Sequence, residues 1–227
     1  MRDEPAASGS PAVVLQHRAD GPAGLLTDVL AEAGFRPRTI RLDLGEPLPD
    51  PASVALAVTL GVSTWGETAA GAAGEIEWLR KASRASTAVL GLGTGAQALA
   101  VALGGGVDHA PKSRHGWVWL SSATPAWIAA GPWLAWRDET IRLPSRAKVL
   151  AHDALGPQVF SAGRHLGVQF HPEVTPGIVA DWVRSAREES LDAQGVLEVT
   201  SREFATASVA GRRLLSTYLH TVARYAA

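Results

Sequence analysis

The chain has no cysteine among its 227 residues. That excludes disulfides, thiolate metal sites and a cysteine nucleophile supplied by this polypeptide. Lysine is also scarce: Lys81, Lys112 and Lys148 are the only three of 21 basic residues that are not arginine. Set in an alanine-rich background, this is compositional bias more than a phosphate-binding pattern. No charge of one sign dominates. The formal net charge is −1, so no global field favours nucleic acid or an anionic membrane as partner. No apolar run reaches the length of a bilayer span. Met1-Arg2-Asp3-Glu4-Pro5 lacks the basic and then apolar pattern of a secretory signal, and a cytoplasmic protein is the expectation. His109, His115 and His152 have no metal-ligand spacing, so no metal and no cofactor are expected.

What is present is a chain long enough for one full core. Residues 1–10 are small and polar and are expected to form a mobile tail. Residues 11–227 are expected to form a single domain. Short apolar runs at 12–16, 39–42, 54–60 and 88–92 read as buried strands. Helical spacing at 24–33, 74–83 and 95–103 alternates with them, and that alternation points to βαβ units and a central parallel sheet. The short runs at 118–120, 133–136, 147–151, 159–162 and 165–169 read as antiparallel additions or edge strands. Helix returns at 177–188. Thr200 and Glu203 have the spacing of a capping box for a last helix, on which Leu215, Leu219 and Val222 share one face. The eight tryptophans, five of them between Trp117 and Trp136, read first as core and edge-strand filler and second as the wall of a pocket.

Two motifs carry chemistry. Gly91-Leu92-Gly93-Thr94-Gly95-Ala96-Gln97 has the form of a strand-to-helix elbow, a turn that presents one side chain at the carboxyl edge of a sheet and aims backbone N–H groups at the same spot. Gly93 stands where the reactive side chain would be. The same residues give a shortened dinucleotide fingerprint, but its final glycine and its downstream acid are missing and it follows the fourth strand instead of the first. The second motif is His171-Pro172-Glu173. Two residues apart in an extended segment, an imidazole and a carboxylate point the same way, so the acid can fix the tautomer of the base. Alone, the pair is a structural histidine near a strand end. Behind an elbow, it is the base and orienter of nucleophilic catalysis.

Taken together these features resemble the class I glutamine amidotransferases. That family carries its thiol on an elbow of the form G-x-C-x-G-x-Q and completes its triad with a later H-P-E. The resemblance runs from Val13 to about Trp182. It is supported by Thr59-Leu60-Gly61, Ala102-Leu103-Gly104-Gly105, Trp136-Arg137-Asp138 with Leu143-Pro144, and Val168-Gln169-Phe170. It implies a three-layer α/β sandwich of flavodoxin-like type, with a central, mostly parallel sheet plus small antiparallel additions. It places the family's Cys at Gly93 and its His and Glu at His171 and Glu173. It also implies substrate contacts at Gly61, Val62, Thr94 and Gln97, where the N–H of Thr94 and the loop from Gly61 would hold an oxyanion. Three positions depart from the pattern: Gly93 for the thiol, Val62 for a second loop glycine, and Arg114 for an acid before Gly116-Trp117.

Three functions follow as expectations. The first is a protein of this family without conventional glutaminase activity, a pseudoenzyme that binds a small amide or amino acid or docks a synthetase-type partner; a Gly93→Cys replacement would then revive some turnover. The second is an amide or γ-glutamyl hydrolase or transferase, in which His171 with Glu173 activates a substrate group or a water lodged above Gly93. The third is a structural subunit of a biosynthetic complex.

Overall fold

The computed structural model describes residues 9–61, 73–186 and 191–226. Its strands are β1 (Ser10–Gln16), β2 (Phe35–Arg41), β3 (Leu56–Thr59), β4 (Ala88–Leu92), β5 (Gly106–Val118), β6 (Ser121–Ser122), β7 (Trp133–Arg142), β8 (Lys148–Asp153), β9 (Gly156–Ala162) and β10 (His165–Val168). We number the helices α1 (Leu26–Glu32), α2 (Ala73–Arg84), α3 (Thr94–Ala102), α4 (Pro176–Ser185) and α5 (Ala193–Ala226). The first strand begins at Ser10, whose N–H donates to Gly34 O at 2.9 Å. Residues 1–8 of the expected tail lie outside the described residues.

Among the described residues the main sheet has the order β2-β1-β3-β4-β10-β9-β8-β6. From β2 to β10 the neighbours pair parallel, and β9, β8 and β6 extend the sheet antiparallel. Among the described strands β5 and β7 lie outside it, as a separate antiparallel ribbon. The antiparallel additions are thus mostly part of the main sheet, and β10 lies in its parallel half.

The inner strands β1, β3, β4 and β10 are near-continuous buried runs because both sheet faces are covered there, whereas the edge strand β2 is polar and mostly exposed. Val14, Val58, Leu90 and Leu92 pack with α1 and with Leu214, Leu215 and Leu219 of α5. Val13, Ala57 and Val89, facing the other way, pack with Ile76 and Leu79 of α2 and Leu99 of α3. This is the three-layer arrangement, set by the period-two alternation of each strand. A smaller apolar cluster joins Leu134 and Trp136 of the ribbon to Ile178 and Val179 of α4 and Val196 of α5.

The last helix starts earlier than the capping-box spacing indicates. Asp192 is its cap, with Oδ1 accepting from Gly195 N at 2.9 Å. Thr200 sits inside the helix; its hydroxyl donates to Val196 O at 2.7 Å and accepts from Trp117 Nε1 at 3.0 Å. A threonine in a helix interior bonds back to the preceding turn in this way. Leu215, Leu219 and Val222 do share the buried face.

Candidate active site

The elbow forms where β4 ends. Gly93 adopts φ 57 and ψ −125 and directly precedes α3, and its N–H donates to Val168 O of β10 at 2.9 Å. A positive φ of this kind favours a residue without a β-carbon. The turn is also crowded. A β-carbon at Gly95 would overlap Thr59 O, and one at Gly91 would stand 2.8 Å from Ala96 N. The first turn of α3 therefore packs directly on the end of β3. A β-carbon at Gly61 would stand 2.9 Å from Thr94 N, so Gly61 and Thr94 face each other across a backbone contact.

The second motif follows β10. His171 N donates to Leu134 O at 2.9 Å, which ties the turn to the ribbon. Leu25 N donates to Glu173 O at 2.8 Å, and Gly24 lies so close that a β-carbon would overlap that oxygen. On the opposite side Gly211 lets α5 pass over Pro172 O. Three elements thus hold one short turn.

His171 and Glu173 are both buried, with Nδ1 to Oε1 at 2.8 Å. With a carboxylate accepting from Nδ1–H, Nε2 is left as the free lone pair, the tautomer a general base requires. Trp182 meets the ring edge-on, with centroids 4.7 Å apart. The indole is fixed in turn by Nε1 donating to Asp20 O at 2.8 Å and by contact with Trp136.

The imidazole lies over Gly93. A β-carbon at residue 93 would overlap His171 Cε1 and stand 2.8 Å from Nε2. The space expected above Gly93 is therefore filled by the ring itself, because a residue of hydrogen-sized side chain lets the imidazole settle onto the turn. A water cannot lodge there, and a thiol added at 93 requires the ring to move. Beside the ring, a crevice lined by Trp117, Trp133, His171, Pro172, Phe204 and Ser208 leaves about 10 Å³, roughly room for one water. Two of the clustered tryptophans thus line the site, while Trp119 is exposed and Trp133 is also core.

The structure brings Gly61, Thr94, Gly93, His171 and Glu173 to one end of the sheet. Gln97 is fully buried, with Nε2 donating to Gln169 Oε1 at 3.3 Å. Val62 lies outside the described residues, as does the rest of its loop through Trp65. Sequence reasoning missed Trp182 as the brace of the imidazole. It also missed a second imidazole–carboxylate contact, His17 Nε2 to Glu75 Oε2 at 2.7 Å. The pair Gln16-His17 closing the first strand was the available signal. Among the described residues no cluster of histidine and acid could hold a metal ion, and no helix is long and apolar enough to cross a membrane.

The comparisons with known proteins bear on the family and the fold. The family model for glutamine amidotransferase class-I matches residues 55–181. No curated protein matches the chain. A glutamine amidotransferase from Thermotoga maritima superposes with a TM-score of 0.80 at 22% identity, covering 94% of this chain and 99% of that one. A glutamine amido transferase from Methylobacillus flagellatus gives a TM-score of 0.80 at 21% identity, covering 93% and 94%. A Thermoplasma acidophilum protein assigned to GMP synthase, as one of its subunits, gives 0.65 at 18%, covering 97% of both. At these identities the structures establish the fold, and the matched model spans more than half of the chain. With its elbow, its His-Pro-Glu turn and no cysteine to serve as nucleophile, the chain belongs to the class I glutamine amidotransferase family.

Proposed function

We propose that this protein has given up glutaminase chemistry and uses the end of the sheet to bind a small amide or amino acid. One observation carries this: the imidazole lies on Gly93, in the space a nucleophile's β-carbon would need. The acyl-enzyme route is closed, since loss of a triad's nucleophile removes about 10⁴- to 10⁶-fold of rate. A ligand group seated at the β-carbon position of residue 93 displaces the ring, so the ring is also the natural reporter of binding. Docking to a synthetase-type partner is compatible with the same fold and is supported by the likeness to the protein assigned to GMP synthase.

A second reading is favoured by the intact 2.8 Å contact of His171 with Glu173 beside a crevice with room for about one water. It is an amide or γ-glutamyl hydrolase or transferase, with His171 as general base.

The test is direct. The purified protein is incubated with glutamine and ammonia is measured, while calorimetry follows binding of glutamine and asparagine. Binding without ammonia supports the proposal. Turnover that His171→Ala abolishes overturns it in favour of the hydrolase. No binding, together with co-purification of a stable complex, leaves the structural-subunit reading.

A further inference from the structure

The sheet order places β1 between β2 and β3. The chain leaves β1 for one side and returns to β3 on the other, so their carboxyl ends form the topological switch point, where open α/β sheets bind ligands. Three buried or nearly buried polar side chains meet there. His17 follows the last residue of β1, Thr59 ends β3, and Glu75 lies in the first turn of α2. Glu75 is 4% exposed and His17 11%. Glu75 Oε1 accepts from Thr59 Oγ1 at 2.5 Å and Oε2 meets His17 Nε2 at 2.7 Å. Both carboxylate oxygens are thereby engaged, and they fix the imidazole by one nitrogen.

The other nitrogen, Nδ1, is buried and has no hydrogen-bond partner among the described residues. Leaving a buried polar atom unmade costs about 1–3 kcal/mol, so each such atom calls for a reason. The orientation is not a packing accident, because an acid held at both oxygens sets it. The cluster also adjoins the elbow: Thr59 O lies against Gly95, and Gly61, two residues on, lies against Thr94 N.

We propose that His17 is the contact residue of a second subsite at this switch point, with Glu75 and Thr59 as its positioning residues, and that its ligand is a primary carboxamide. A carboxamide offers an N–H to a neutral Nδ1 and a C=O to a protonated one, so it satisfies the atom in either state. The proposal rests on the amide-binding reading above and assigns part of the ligand to residues outside the His-Pro-Glu turn.

The experiment uses the full chain with ¹⁵N-labelled histidine and follows the ring nitrogens of His17 and His171 while acetamide or glutamine is added. Both compounds are expected to move the His17 Nδ1 signal saturably. Glu75→Gln, which removes the charge that orients the ring, is expected to weaken that response about tenfold while the His171 response stays. If His171 responds and His17 does not, the subsite is refuted and the proposed function stands. If neither responds, both fall. A His17 response unchanged in Glu75→Gln also refutes the positioning role. The wild-type titration decides the main point even if that variant fails to fold.

Discussion

The contact between His171 and Gly93 predicts an unusual energetic coupling. Gly93→Ala adds one methyl group at a residue with φ 57, where that methyl would overlap His171 Cε1. The backbone contribution is about 1–3 kcal/mol. Forcing a methyl into a filled site adds about 1–3 kcal/mol more, for a total of about 2–6 kcal/mol. In a His171→Ala background the second contribution vanishes, because the overlapping ring is gone. A double-mutant cycle read by urea denaturation is therefore expected to show a coupling of about 1–3 kcal/mol, above the roughly 0.3–0.5 kcal/mol scatter of independent sites. Equal costs for Gly93→Ala in the two backgrounds would refute the packing of the imidazole on the turn, and with it the account of the lost nucleophile site. The same packing revises the expectation that Gly93→Cys revives turnover: with the ring on the turn, that replacement alone is expected to release no ammonia from glutamine, and turnover above the wild type counts against it.

Three further outcomes can be checked by equilibrium unfolding. Gly211→Ala, whose methyl would overlap Pro172 O, is expected to cost about 1–3 kcal/mol and to shift the His171 ring signals; a neutral effect on both would be inconsistent with α5 clamping the turn. The Tyr218 hydroxyl shares its one proton between Val89 O and Arg164 O, at 3.0 and 2.8 Å, so Tyr218→Phe should lower stability by about 1–2 kcal/mol, and an unchanged urea midpoint would contradict that contact. Burial, aided by the Arg164 charge, pushes His165 down from 6.5 to about 4. The unfolded chain takes up a proton that the folded chain refuses in that window. The contribution, about 3 kcal/mol, is full above pH about 6.5 and is lost on acidification toward about 4. His165→Gln should flatten that part of the pH profile, and an identical slope in the variant would argue against it.

The parts of the fold that were legible are those where one physical cause dominates. The inner strands of the parallel half, β1, β3 and β4, are short apolar runs because both their faces are covered, and the elbow is legible because glycine spacing alone meets its crowding. The ribbon is different. β5 is polar over 108–114 and largely exposed, so neither apolar runs nor alternation marks its length of 13 residues. The start of α5 is masked by Gly195 in its first turn, and only the bond from Gly195 N to Asp192 reveals the cap. At the site, His171 and Glu173 are two residues apart and can be paired on paper. The overlap of the ring with residue 93, the brace of Trp182, and the meeting of His17 with Glu75 join residues 58 or more apart in two of the three cases, and no local pattern encodes such distances.

The pairing of β4 with β10 has a consequence for how the molecule is made. Leu90 lies opposite Leu166, a partner that leaves the ribosome 76 residues later. Until then the growing polypeptide presents a fully apolar, unpaired border at the middle of its future sheet. Such borders recruit other nascent chains, so the yield of correctly assembled molecules should depend on translation speed and on chaperone cover during that interval.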